Sequence, residues 1–217
     1  MFKKIFEQNK ILEISIISVG IILFYFYYTN VPKYSLYEFL LIRDVEGSSI
    51  NFFLVNIYWF TFFWIVTTIP LNYFFNELAN IPLLEEIRKS NKKKYIFKIF
   101  IQILSYVVVY TTIFSFIELY FNPTKMLLIF MLSIILVVSI YLILLAGLLT
   151  ELIFGHFVGI LMQSLIIIFV MFNKNILIIP RQVLDIHKNI IVGILDILII
   201  FFIHILIVKL FLKKELI

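Results

Sequence analysis

The sequence predicts an all-α integral membrane protein with six transmembrane helices, both termini in the cytoplasm and a short amphipathic helix at the N-terminus. Three observations carry this. Of 217 residues, 63% are hydrophobic and only 14% are charged, against about half and a quarter in a soluble domain. Mean hydropathy is +1.11, and a globular fold of this size could not hide so much apolar surface. The apolar residues also fall in runs of roughly 20, the length that crosses hydrocarbon as a helix. A cytosolic enzyme, a nucleic-acid-binding domain and a secreted disulfide scaffold are excluded. With no cysteine in the chain, so are thiolate metal sites and thiol nucleophiles.

Six spans form a single transmembrane domain, at about Ile11–Tyr28, Asn51–Phe75, Ile96–Tyr120, Met126–Thr150, Glu151–Phe172 and Asn189–Leu212. None alternates apolar and polar residues as barrel strands do. In lipid, the helix is the one isolated segment that satisfies its own backbone. The first span follows Lys3 and Lys4 as a signal peptide would, but it is too long for a signal core. It ends in Tyr25, Phe26, Tyr27 and Tyr28 with no small cleavage residue, so it reads as a retained helix.

Orientation follows the basic residues. With the N-terminus inside, twelve Lys and Arg lie on inner segments and six on outer ones. The densest cluster, Arg88 to Lys98, separates the second and third spans. The fourth and fifth spans join almost directly around Thr150 and Glu151, as a tight inner hairpin.

Before the first span, Phe2, Ile5 and Phe6 share a helical face, with Lys3 and Lys4 elsewhere. This reads as a helix lying in the inner interface, its lysines near anionic headgroups. In the second span, Pro70 removes a backbone hydrogen bond and predicts a kink. In the inner loop that follows, Asn80 and Pro82 suit a helix start. Glu85 and Glu86 precede Arg88 and Lys89, as the macrodipole favours, while Leu83, Leu84 and Ile87 share one face. Such a helix needs the bilayer surface or a cytoplasmic partner to cover it.

Farther on, Gly155 and Gly159 form a small-xxx-small pair that admits a close helix neighbour. His156 and Gln163 lie near one face, where hydrogen bonding within the bundle is the plainer reading. Asp196 and His204 are ionisable groups within a span, which default to a functional hypothesis. Asp196 is expected to reach water from the outer side, and His204 and His156 are expected at similar depths, able to meet. Glu118 is expected to face water at the outer end of its span. Gln102, Ser105 and Thr112 give the third span a mildly polar face. His156, His204, Asp196 and Gln102 are therefore the candidate pathway residues. Two histidines and a displaced aspartate make a poor metal site, because zinc wants three or four ligands.

There is no G-x-x-x-x-G-K-[ST], no H-E-x-x-H and no G-x-S-x-G, and six glycines leave little for a phosphate loop. Any ATP use therefore falls to another chain.

The short inner-loop helix, the run Ile87-Arg-Lys-Ser-Asn-Lys-Lys-Lys-Tyr-Ile-Phe-Lys98-Ile99 and a following span rich in Ser, Tyr and Thr resemble the small six-helix permeases of bacterial ABC exporters. Several of these serve export of, or immunity to, amphipathic antimicrobial peptides. The resemblance covers most of the chain as layout, through to Phe211-Leu-Lys-Lys-Glu-Leu-Ile217, and is sharp around Arg88–Ile99. It implies a non-enzymatic subunit of the bacterial inner membrane that binds no cofactor itself. ATP and Mg²⁺ would sit on separate ABC ATPase subunits. A second permease chain, identical or paralogous, would complete the pathway, and the substrate would be a peptide or lipid-like molecule. The family's coupling helix lands on Pro82–Lys94, with Leu83, Leu84, Ile87 and Arg88 as the ATPase contacts. The re-entrant outer helices of the family are reduced here, since only Asn173–Lys188 is available and Pro180 interrupts it.

Two other classes fit the sequence less well. An intramembrane metalloprotease of the CAAX-processing kind wants E-E-x-x-x-R, but here the arginine follows Glu85-Glu86 too soon. An ion-coupled carrier using Asp196 and His204 would be expected to show inverted repeats and broken midplane helices, and Pro70 is too near the membrane edge to supply one.

Overall fold

The computed structural model describes residues 57–79, 92–121, 123, 126–172 and 186–213. The first span, the N-terminal residues Phe2, Lys3, Lys4, Ile5 and Phe6, and the coupling residues Leu83, Leu84, Ile87 and Arg88 lie outside them. Among the described residues the chain is all-helical, with no strand: α1 Ile57–Ala79, α2 Lys92–Phe121, α3 Met126–Phe154, α4 His156–Phe172 and α5 Ile186–Lys213. Two stretches are long and apolar enough to cross a membrane, Ile96–Tyr120 with mean hydropathy 1.9 and Ile129–Phe154 with 3.0. Phe60–Phe75 and His156–Val170 are apolar but shorter.

The most apolar helix is also the central one. α3 packs against all four others, and from Ser139 to Leu145 every side chain is buried. A helix that is hydrophobic all round belongs in such a place. Ring pairs set the direction of its neighbours. Phe62 meets Phe114 at 5.7 Å between centroids, and Phe74 meets Tyr106 at 6.3 Å. Numbers rise along α1 as they fall along α2, so the two are antiparallel. Trp64 on α1 donates to Ser164 Oγ on α4 at 2.9 Å, and Phe75 stacks on His156, so α1 and α4 are antiparallel too.

Pro70 sits inside α1, and the helix continues beyond it to Ala79. Proline has no N–H for the carbonyl four residues earlier, which is that of Val66. The Tyr106 hydroxyl donates to the Val66 carbonyl at 3.1 Å from α2. A neighbouring helix thus supplies the bond the proline removed, as a buried carbonyl requires. The other hydroxyls are mostly satisfied locally. Thr61, Thr67, Thr111, Thr112, Ser133, Ser139 and Ser164 each donate to the carbonyl four residues back. Ser115 bonds Ser133 across α2 and α3.

The α3–α4 junction differs from the sequence expectation. α3 runs on through Thr150 and Glu151 to Phe154, and the break falls at Gly155, the one described residue with positive φ, at 92°. An L side chain is strained at such a φ, whereas Thr150 and Glu151 have no reason to leave the helix. The chain reverses there. Gly159 lies against Glu151, and Gly147 against Gln163, pairs placed symmetrically about Gly155.

Candidate functional site

The α3–α4 turn gathers the most unusual chemistry among the described residues. Glu151, on the last full turn of α3, is fully buried. Its Oε1 is bonded to Nδ1 of His156, the first residue of α4. The imidazole is 38% exposed and stacks on Phe75 of α1, with centroids 5.9 Å apart. Glu151 thus faces inward while its partner reaches the surface of the bundle.

The turn packs tightly because Gly159 carries no side chain. A Cβ placed there would overlap Glu151 Cγ and stand 2.9 Å from its Cβ and 3.0 Å from its Cα. One helical turn deeper, Gln163 is fully buried beside Gly147 and Leu71. Neither end of its amide has a hydrogen-bond partner, and neither does Glu151 Oε2. Thr68 Oγ1, three residues before Leu71 on α1, is likewise buried without a partner. Tyr110 Oη on α2 is the remaining buried atom of this kind among the described residues. Buried polar atoms are nearly always paired, so three such atoms on Glu151 and Gln163, one turn apart in one hairpin, mark it out.

The candidate pathway residues do not come together. His204 shares a hydrogen bond of 2.8 Å with the Tyr141 hydroxyl and packs on Phe100, with ring centroids 4.2 Å apart. Tyr141 lies fourteen residues up α3 from Gly155, about 21 Å at helical rise. His204 and His156 therefore stand at different depths on different partners, contrary to the expectation that they meet. Asp196 is buried on the stripe of α5 that carries Ile203 and Ile207, rather than opening to water. Glu118, also expected at the water, is fully buried. Gln102 is half-buried, and the Thr112 hydroxyl is bonded to the Val108 carbonyl at 2.7 Å, so it offers little to a pathway. Gly155 forms the turn with open space around it, and close packing falls to Gly159 alone. Among the described residues, no three His, Asp or Glu side chains gather as a metal-binding group.

Sequence reasoning singled out His156 but took Glu151 as the start of a span. The available signal was a lone glutamate in an apolar run, followed by glycine four and eight residues on. No family model, no curated protein and no solved structure matches this chain.

Proposed function

We propose that this chain is the multi-pass permease subunit of a bacterial ABC exporter, with six transmembrane helices, both termini in the cytoplasm and ATP hydrolysed by a separate subunit. The observation that carries it is the stretch from Arg88 to Ile99. A basic break there feeds straight into α2, whose first turn is Lys92–Lys94 and whose apolar length suffices to cross a membrane. Large apolar side chains on the outside support lipid as the surrounding medium. Phe97, Phe116, Phe130, Phe157, Phe201 and Phe202 are each more than 60% exposed, a surface that water would not tolerate.

In this reading the protein makes and breaks no covalent bonds. ATP binding closes two ATPase subunits, and Leu83, Leu84, Ile87 and Arg88 relay that closure to the spans. A second permease chain completes a pathway for an amphipathic peptide or lipid-like substrate. The test is gentle extraction of the tagged protein from its native membrane, with ATP hydrolysis measured in the same sample. An ATPase subunit should co-purify, and Leu84→Asp or Arg88→Glu should release it. Purification with no nucleotide-binding partner and no ATPase activity overturns the reading. Transport of small polar solutes alone overturns the substrate class.

A further inference from the structure

We propose that Glu151 and His156 form a proton-binding site at the α3–α4 turn, loaded from water through His156 and served in either charge state by Gln163. This goes beyond the permease reading and does not depend on it.

Four observations carry it. Glu151 is fully enclosed, and its second oxygen and the whole Gln163 amide are buried without partners. A ligand of atomic size has no room beside them, whereas a proton needs none. Access is one-sided, because the bonded imidazole is 38% exposed while the carboxyl is not exposed at all. Among the described residues, His156 is the one titratable group bonded to Glu151. Among the described side chains in contact with the site, none of the others is charged: α1 offers Phe75 and Leu71, α4 offers Gly159 and Gln163, and α3 itself offers Gly147. Finally, the unpartnered side chain nearest in the hairpin register is an amide, which both donates and accepts.

The transfer balances simply. His156 Nδ1 passes its proton to Glu151 Oε1 while Nε2 takes one from a hydronium ion, which leaves as water. The carboxylate becomes a neutral acid, and the imidazole ends neutral in its other tautomer. Glu151 Oε2 stays unprotonated in both states, so Gln163 Nε2 is the donor it calls for, bonding the carboxylate more strongly than the neutral acid. The two groups sit one turn apart across the hairpin, about 5.4 Å along the axis, within reach of two flexible side chains.

The test uses the full chain in lipid nanodiscs and infrared difference spectra taken between about pH 4 and about pH 9, the range in which carboxyl and imidazole groups titrate. A carboxylic-acid carbonyl band should rise on acidification. It should be lost in Glu151→Gln, kept in Asp196→Asn and moved in frequency in Gln163→Leu. After a rapid pH jump, His156→Phe should slow its appearance by about tenfold or more. Thermal melting of each variant confirms folding, and Gln163→Leu keeps the carboxyl in place should Glu151→Gln fail to fold. A band that survives Glu151→Gln, a wild type with no titrating band, or a frequency indifferent to Gln163→Leu overturns the site. An unchanged rate in His156→Phe overturns the route.

Discussion

Three glycines in the α3–α4 hairpin should respond differently to the same added methyl group. In Gly159→Ala the new Cβ overlaps Glu151 Cγ and meets its Cβ at 2.9 Å and its Cα at 3.0 Å. Carbon atoms rest at about 3.5–4.0 Å, so even if the Glu151 side chain turns aside, α4 must back away by about 0.5–1 Å. Backbone cannot step aside as a side-chain tip can. With Cγ overlapped as well, the overpacking falls at the upper end of its range, about 3 kcal/mol, against about 1 kcal/mol gained in helix propensity. A net loss of about 2 kcal/mol is expected, lowering Tm by about 4–8 °C on the scale of a chain this long. Gly155→Ala meets nothing within 4 Å, and its loss comes only from forcing alanine to a φ of 92°, about 1–2 kcal/mol. In Gly147→Ala the contacts are Gln163 Cδ and Oε1 and Leu71 Cδ2, all at 3.2 Å. These belong to flexible side chains, so the change should stay within about 1 kcal/mol of neutral. The assay is thermal unfolding of the three purified variants in one detergent. If Gly147→Ala is as damaging as Gly159→Ala, or Gly159→Ala melts with the wild type, the hairpin register is wrong.

Two further changes probe the polar contacts. Tyr106→Phe leaves the buried Val66 carbonyl unpaired and should cost about 1.5 kcal/mol. In a Pro70→Ala background the restored N–H takes over that carbonyl, and the cost should fall below about 0.5 kcal/mol. A double-mutant cycle by thermal unfolding measures the difference, and equal costs in both backgrounds would sink the account. Tyr141→Phe removes the bond to His204 at a cost of about 1 kcal/mol. It should also shift the ring-nitrogen resonances of His204 while leaving those of His156 in place; a shift in both would mean the histidines are coupled after all.

Much of the fold was legible in advance because helices in an apolar medium announce themselves by length. The runs expected at Ile96–Tyr120 and Met126–Thr150 fall within α2 and α3. Their ends are less legible. Glu151 looked like a boundary because a charge in an apolar run usually marks the membrane edge, but here a histidine five residues on holds it inside the bundle. Glu118 and Asp196 misled in the same way, since distance from a span's end does not reveal which face a side chain takes. His156 and His204 seemed able to meet because depth was counted along separate spans, without the register between them. The Tyr106–Val66 bond joins residues forty positions apart, and no local pattern points to it.

The sequence alone determined the helical class, the apolar character of the segments and the place of the chain reversal to within a few residues. These follow from local chemistry: the lengths of the apolar runs, and the direct junction of the fourth and fifth of them near Thr150 and Glu151. Only the tertiary structure decided which polar groups are enclosed and by what. Burial depends on the rotation of each helix about its axis and on its register with neighbours, and both are set by packing around α3. That packing turned Glu151 inward, left His156 half at the surface, and placed Gln163 one turn deeper with its amide unpaired.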